Sequence, residues 1–213
     1  MSIALATPRH VFGFKSNVST NLWYLDEQTI VYPSGSNCIL YNIDQRTQRF
    51  IPCTENGSGI TAIAVSPNRR YVAVAEKSEK PTITIFDLHS LRKRKVLSSP
   101  ECQSMEFVSI AFSPDSKYLI AQGGRPDWTL LYWTWEKAKV LAFTKSTNQQ
   151  NSPVYQVSYF RAEITLQSPQ VSEILSEFWV KNYNQLTLLF CIYNYLQQKS
   201  FFRTSFHCLF SRY

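Results

Sequence analysis

Short apolar runs and polar turns alternate along the middle of the chain with a period of 47 residues. Residues 65–73 (Val-Ser-Pro-Asn-Arg-Arg-Tyr-Val-Ala) return at 112–120 as Phe-Ser-Pro-Asp-Ser-Lys-Tyr-Leu-Ile. In both copies an apolar run precedes a Ser-Pro turn, where proline fixes one backbone angle and Asn or Asp tolerates the next. A second apolar run follows. A period of about 40 to 50 residues built from short strands is typical of the blades of a β-propeller.

Each repeat predicts four strands. In the second unit they cover residues 60–66, 71–75, 82–88 and 93–98, and in the third 107–113, 118–122, 128–135 and 139–145. A first, weaker unit has strand-like segments at 29–32, 38–43 and 48–51. Four short strands per unit exclude a helical solenoid, and an immunoglobulin-like sandwich would not carry a sequence repeat. The sequence therefore predicts an all-β fold.

A further unit begins at residue 153 and then breaks off. Residues 153–159 align with the inner strand of the third unit, but Phe160 and Arg161 stand where the next Ser-Pro is expected. Residues 1–160 are therefore predicted to form an incomplete propeller of about three four-stranded blades plus one strand. Because a propeller closes with about four to eight blades, we expect this array to fold poorly alone.

Residues 161–213 form a divergent tail that does not continue the repeat. The tail contains none of the six glycines and no aspartate, although blade turns need such residues. Apolar residues at one-turn spacing predict a helix over 172–198, with disorder as the alternative. The apolar run 186–196 is shorter than the about 20 residues of a membrane span, so no membrane contact is expected. We expect a truncated or alternatively spliced end, or a gene-model artefact.

Composition and cysteine usage favour a cytoplasmic globular protein. Hydrophobic residues make up 44% of the chain and charged residues 17%. The first residues lack the basic and apolar regions of a secretion signal, and five scattered cysteines suit reduced thiols. The net charge of +7 permits acidic partners without requiring them.

The sequence contains no pattern that supports catalysis or a cofactor. It lacks the glycine-rich loops that hold nucleotides and the Gly-x-Ser-x-Gly elbow of hydrolases. The three histidines are scattered, and His207 and Cys208 with Cys191 lack the paired-cysteine spacing of zinc sites. We predict that the protein is not an enzyme and has no catalytic residues, metal, cofactor or small-molecule substrate.

Two groups of residues are candidates for an interaction patch: Arg92, Lys93, Arg94 and Lys95, and Trp128, Trp133 and Trp135. The basic run is interpreted either as a solvated turn into an outer strand, whose lysines prevent edge pairing, or as a contact for acidic surfaces such as tubulin tails. A nuclear import signal or an RNA patch is a further alternative. The tryptophans either pack between blades or form a partner contact on the opposite face.

The Ser-Pro-Asn/Asp-x-x-Tyr turn resembles the inner hairpin of the WD-repeat family. Phe86-Asp87 takes the place of that family's Trp-Asp pair, and Tyr41-Asn42 and Trp133-Thr134 depart from it. The Gly-His pair expected before each inner strand is absent from the sequence. The resemblance implies a WD40-like propeller, without implying the family's His-Asp-Ser-Trp hydrogen-bond network.

Residues 10–159 more closely resemble the N-terminal part of the cilia- and flagella-associated protein 57 family. The matching strings are residues 10–13, 26–28, 32–35, 66–71, 80–81, 92–97, 111–118 and 132–137. This resemblance implies a non-catalytic scaffold of the motile cilium or flagellum axoneme that docks inner dynein arms near the nexin–dynein regulatory complex. The implied partners are axonemal dynein or regulatory-complex subunits, with tubulin as a further candidate. The alternative hypothesis is a WD-like module that binds RNA or a ribonucleoprotein through its basic face.

Overall fold

The computed structural model describes residues 9–18, 20–52, 59–145, 154–161, 176–182 and 186–190. The strands are β1 (Trp23–Tyr24), β2 (Thr29–Ser34), β3 (Asn37–Asn42), β4 (Thr47–Pro52), β5 (Ile60–Val65), β6 (Tyr71–Glu76), β7 (Thr82–Asp87), β8 (Lys93–Leu97), β9 (Phe107–Phe112), β10 (Tyr118–Gly123), β11 (Thr129–Thr134), β12 (Lys139–Lys145), β13 (Val154–Arg161), β14 (Ser176–Asn182) and β15 (Leu186–Phe190). A single 3-10 turn, Trp135–Lys137, follows β11.

The first twelve strands form three four-stranded antiparallel sheets. Their strand orders are β1-β2-β3-β4, β5-β6-β7-β8 and β9-β10-β11-β12, so each sheet is a meander of consecutive strands. The sheets are consistent with three propeller blades, and the prediction of an all-β fold with about three four-stranded units is confirmed. The weak first unit contains a two-residue inner strand, β1, that the sequence pattern did not indicate.

The Ser-Pro turns have the same hydrogen bonds in both repeats. The Ser66 hydroxyl accepts the Tyr71 N–H at 2.9 Å and contacts the Asn68 side-chain oxygen at 2.7 Å. The Ser113 hydroxyl accepts the Tyr118 N–H at 2.9 Å and bonds to Asp115 at 2.5 Å. These bonds are the physical reason for Ser, Asn or Asp, and Tyr at this spacing, because they satisfy a backbone N–H that the turn would otherwise leave unpaired.

The turn between the third and fourth strands of each sheet is also repeated. A residue that is not glycine adopts the left-handed conformation at the same place in each one: Arg46 (φ 53°), Leu91 (φ 54°) and Ala138 (φ 51°). At the start of the turn, the Asn42 side chain accepts the Gln45 N–H at 2.8 Å, and Asp87 accepts the Ser90 N–H at 3.0 Å. The Trp-Asp position of the WD-repeat family is therefore a turn cap in the first two sheets.

The hydrophobic core lies between the sheets in separate layers. One cluster joins the first two sheets, and its members include Val31 and Leu40 of the first sheet and Ile63, Val74 and Phe86 of the second. A second joins the next two sheets and includes Ile83, Ile85, Leu97, Phe107, Leu119 and Trp133. A third joins Ile120, Trp128 and Leu130 of the third sheet to Val157 of β13. This arrangement explains why β5 and β6 of the second unit are apolar on both faces.

Polar contacts between turns link the same layers. The Arg69 guanidinium donates to the Leu25 carbonyl at 2.8 Å, which joins the second sheet to the first. The Asn68 N–H donates to the Ser116 hydroxyl at 3.3 Å, which joins the second sheet to the third. Neighbouring sheets are thus held by apolar layers and by their turns.

The helix predicted over residues 172–198 is wrong for the parts of that segment that the structure describes. Strand β13 pairs with β14, and β14 pairs with β15, so the interrupted unit forms a three-stranded antiparallel sheet rather than one strand. The backbone of β13 needs hydrogen-bond partners, and β14 supplies them from Ser176 to Asn182. Strand pairing with a distant segment therefore overrides the one-turn spacing of apolar residues that predicted a helix. The rest of the predicted helix lies outside the described residues.

Within the described ranges, no helix has the length and apolar character needed to cross a lipid bilayer. The first five residues of the apolar run 186–196 form β15. The remainder of that run lies outside the described residues.

Candidate interaction surface

The three tryptophans of the candidate patch lie in the interior. Trp128, Trp133 and Trp135 are 6%, 0% and 3% exposed. The Trp135 ring packs 4.9 Å from Tyr71 and 6.2 Å from Phe112, and its indole N–H donates to the Ser116 carbonyl at 2.7 Å. Trp133 meets Phe107 edge-on at 5.9 Å. Of the two interpretations of these side chains, the structure supports packing between sheets, and it places none of them on the surface.

The basic run lies on the outer strand of the second sheet. We call Arg92, Lys93, Arg94 and Lys95 together the basic edge. All four are exposed, and so is Val96, at 43%. Strand β8 is last in the order of its sheet and pairs with β7 on one side. Leu97, which is 1% exposed, anchors the end of β8 in the core. The basic run thus lies on an exposed outer strand, a position that suits both protection of the sheet edge and contact with an acidic surface.

A register irregularity distributes the cations over both faces of β8. Lys95 is opposite Ile85, which lies in the layer between the second and third sheets. Lys93 is opposite Phe86, which lies in the layer between the first and second sheets. Because paired residues in antiparallel strands share a face, Lys93 and Lys95 lie on opposite faces. The positive charge consequently surrounds the edge of the strand.

No anion neutralises the basic edge within the part of the chain that the structure describes. The ion pairs there join Arg70 to Asp87, Lys77 to Glu106 and Lys117 to Asp115, and none includes a residue of the basic edge. As far as the described residues go, the four cations are available to an external anion.

The Asp87 carboxylate, at the start of the adjoining turn, is engaged in hydrogen bonds within that turn and in an ion pair. It accepts the N–H groups of His89 at 3.1 Å and Ser90 at 3.0 Å, and it pairs with Arg70 at 3.4 Å. The hydrogen bond from the Ser90 N–H is the principal reason why the pKa of Asp87 lies below its ordinary value. The Arg49 guanidinium donates to the His89 carbonyl at 3.1 Å, which brings one more cation to the same turn.

A second polar cluster lies in the loops around Asp127. Its carboxylate accepts hydrogen bonds from the Ser104 hydroxyl, from the Thr129 hydroxyl at 2.7 Å and from the Gln103 N–H at 2.8 Å. Burial acts to raise the pKa of Asp127, but these hydrogen bonds outweigh it and lower the pKa. The cluster ties the loop that carries Gln103 and Ser104 to the loop that carries Asp127.

The described residues do not assemble a metal-binding group. No three histidine, cysteine, aspartate or glutamate side chains among them lie close enough together to hold a metal ion. One groove, of about 460 Å³, is lined by Phe12, Phe14, Lys15 and small residues. His207, Cys208 and Cys191 lie outside the described residues.

The sequence analysis did not anticipate how residues 9–15 meet the first sheet. The Val11 N–H donates to the Gln48 side-chain oxygen at 2.7 Å, and the Gln48 amide donates to the Val11 carbonyl at 3.0 Å. Lys15 adds a backbone bond to the Pro33 carbonyl at 2.8 Å. Phe12 and Phe14 remain 87% and 62% exposed. No sequence signal at Gln48 would have indicated this contact.

Comparison with known proteins identifies relatives of the repeat region. No model of a known protein family matches the chain. Cilia- and flagella-associated protein 57 of Mus musculus is 50% identical over 161 residues, which are 74% of this chain and 13% of that protein. Cilia- and flagella-associated protein 44 of Mus musculus is 31% identical over 153 residues, covering 72% of this chain and 8% of that protein. Cilia- and flagella-associated protein 57 C of Tetrahymena thermophila is 30% identical over 161 residues, covering 71% of this chain and 12% of that protein.

The chain thus spans between 8% and 13% of the length of these relatives. Each of these relatives is named for its association with cilia and flagella, as the resemblance of the sequence strings implied. Over the matched residues, the chain is a homologue of cilia- and flagella-associated protein 57, the family that its repeat and its sequence strings indicated.

Proposed function

We propose that the chain acts as a non-catalytic scaffold in the axoneme of the motile cilium or flagellum. The observation that carries this proposal is the 50% identity to a cilia- and flagella-associated protein over 161 residues. Three adjoining four-stranded sheets are suited to the task, because rigid strands can hold exposed turns in fixed positions for a protein partner. The work of such a protein is to position other proteins.

The more specific role is docking of inner dynein arms near the nexin–dynein regulatory complex. Its support is the resemblance of residues 10–159 to the family in which that role is expected. Partners would be axonemal dynein or regulatory-complex subunits, and tubulin is a further candidate because it presents acidic tails to a chain of net charge +7.

The test is expression of the full 213-residue chain, carrying a proximity-labelling tag, in ciliated cells. We expect the chain in demembranated axonemes, with dynein or regulatory-complex subunits among the labelled proteins. A Trp133→Asp variant is the control, because it buries an unpaired carboxylate at a fully enclosed position and should lose the native fold. Wild-type chain found in the cytosol alone would overturn the axonemal role. Axonemal chain without those neighbours would overturn the docking role.

The burial of the tryptophans disfavours the alternative of an RNA-binding module. Proteins that bind single-stranded nucleic acid combine positive charge with aromatic side chains on which bases stack. Here Trp128, Trp133 and Trp135 are enclosed by the sheets. The basic edge alone would supply charge without a stacking platform.

A further inference from the structure

The basic edge carries more charge than protection of a sheet edge requires. One or two lysines on an outer strand discourage pairing with another chain. The equivalent outer strands, each taken with the residue before it, have two separated cations: Arg46 and Arg49 at β4, and Lys139 and Lys145 at β12. In β8 and the residue before it, four cations are consecutive. Protection against pairing with another strand therefore explains one or two cations on this edge. It does not explain why four cations are consecutive.

The four charges are close enough to act together. Consecutive residues of a strand are about 3.3 Å apart, so the run extends over about 10 Å. This length is similar to the distance over which about 0.1 M salt screens a charge. The backbone that carries these side chains is held in place, because β8 is paired to β7 and anchored by the buried Leu97. An anionic chain lying along this edge would meet all four at once.

The geometry favours one kind of anionic chain. An extended polypeptide has a rise per residue similar to that of a strand, so its carboxylates can be distributed over the same length as the four cations. Sites for single-stranded nucleic acid combine cations with exposed aromatic groups on which bases stack, and the aromatic side chains of the candidate patch are buried. A second copy of this chain is excluded from pairing through the same edge, because its own cations would repel.

We propose that the basic edge, Arg92 to Lys95, is a binding site for an extended, glutamate- or aspartate-rich segment of a partner protein. Binding is electrostatic and uses the rigidity of β8 to align the cations. This site goes beyond the axonemal role proposed above and does not depend on it, since the interaction can be measured with purified components. A result that overturns the axonemal role would therefore leave the proposed binding site standing, and the reverse also holds.

The experiment uses the full 213-residue chain, carried on a neutral solubility partner, and a fluorescein-labelled deca-glutamate peptide. Fluorescence anisotropy should report binding that weakens steeply between low and high salt. The variant R92Q/K93Q/R94Q/K95Q should bind about tenfold more weakly or not at all. The matched control R9Q/K80Q/R125Q/K145Q removes the same number of Arg and Lys charges from dispersed, exposed positions. It should keep nearly all of the wild-type affinity.

A charge swap separates loss of the site from loss of the fold. The variant R92E/K93E/R94E/K95E should reject deca-glutamate and bind deca-lysine, which an unfolded chain would not do selectively. Equal weakening in the two glutamine variants would overturn the proposal, since net charge alone would then govern binding. Tighter binding of a ten-nucleotide oligouridylate than of deca-glutamate would also overturn it, in favour of nucleic acid. Failure of the wild-type chain to bind deca-glutamate at low salt would do the same.

Discussion

Trp133 and Trp135 provide a paired test of how the second and third sheets are joined. Both indoles are buried in the same apolar layer. The Trp135 N–H donates to the Ser116 carbonyl at 2.7 Å, whereas the Trp133 N–H has no hydrogen-bond partner among the described residues. Replacement of either residue by phenylalanine removes a similar part of the ring. The two substitutions therefore differ mainly in the hydrogen bond.

The expected losses in the free energy of unfolding follow from this difference in hydrogen bonding. Loss of the extra ring atoms should cost about 1–2 kcal/mol at each site, as for other reductions of core side chains. Trp135→Phe also leaves the Ser116 carbonyl unpaired in a buried place, which costs about 1–3 kcal/mol more. Trp133→Phe instead removes an unpaired buried donor, which offsets part of its ring loss. We expect Trp135→Phe to be the more destabilising by at least about 1 kcal/mol.

The free energy of unfolding of the full chain and both variants should be measured in urea by far-ultraviolet circular dichroism. This signal reports the sheets and does not rely on the tryptophans being replaced. Equal m-values would show that the same surface is exposed in each case. If Trp133→Phe were as costly as Trp135→Phe, the hydrogen bond to Ser116 would not contribute as described, and the reasoning would be refuted.

Substitutions in the turns and chemical modification of the thiols supply three more tests. Ser66→Ala and Ser113→Ala should each lower the free energy of unfolding by about 1–3 kcal/mol in urea titrations, because a turn N–H loses its acceptor; an effect at one serine alone would contradict the equivalence of the turns. The folded pKa of Asp87 lies below its ordinary 3.8, so the charged carboxylate stabilises the fold fully above pH 3.8, and this contribution is lost as the pH falls through the folded pKa. In thermal melts from pH 6 to 3, the melting temperature of Asp87→Asn should therefore fall less than that of the wild-type chain. Parallel curves of melting temperature against pH would count against the turn cap. Burial raises the pKa of the Cys38 thiol to about 12, so iodoacetamide should label Cys38 at least about tenfold more slowly than the half-buried Cys102 by mass spectrometry, and similar rates would disprove the enclosure of Cys38.

The repeat predicted most of the fold because its signals are local. A Ser-Pro turn between two apolar runs specifies a hairpin from a few adjacent residues, and the strands β5 to β12 follow within one or two residues of the predicted bounds. The short β1 escaped notice because two residues carry no periodicity.

Sequence pattern alone did not determine which faces are covered. The alternation in residues 128–135 fitted either packing or an exposed aromatic face, and the neighbouring sheet decides between them. Trp135, moreover, lies beyond the end of β11 in the 3-10 turn. The solvated position of the basic edge was predictable from its charge, whereas the absence of ion-pair partners among the described residues depends on how the surrounding turns fold.

The tail prediction failed for a non-local reason. Apolar residues spaced by one helical turn also occur in strands rich in aromatic and branched residues, and the two patterns overlap over short segments. Pairing with β13, which ends fifteen positions before β14 begins, decided the outcome. Sequence spacing carries no information about such a partner.

The second sheet belongs to two apolar layers, because it packs against the first sheet on one face and the third on the other. When stability is a sum over neighbouring repeats, a unit held from both sides opens only after one of its neighbours has detached. Backbone amides of β6 and β7 should therefore exchange with deuterium more slowly than those of β2 and β3, whose sheet shares one described layer. The first sheet would then open before the second, so unfolding of this array would proceed inward from its N-terminal end.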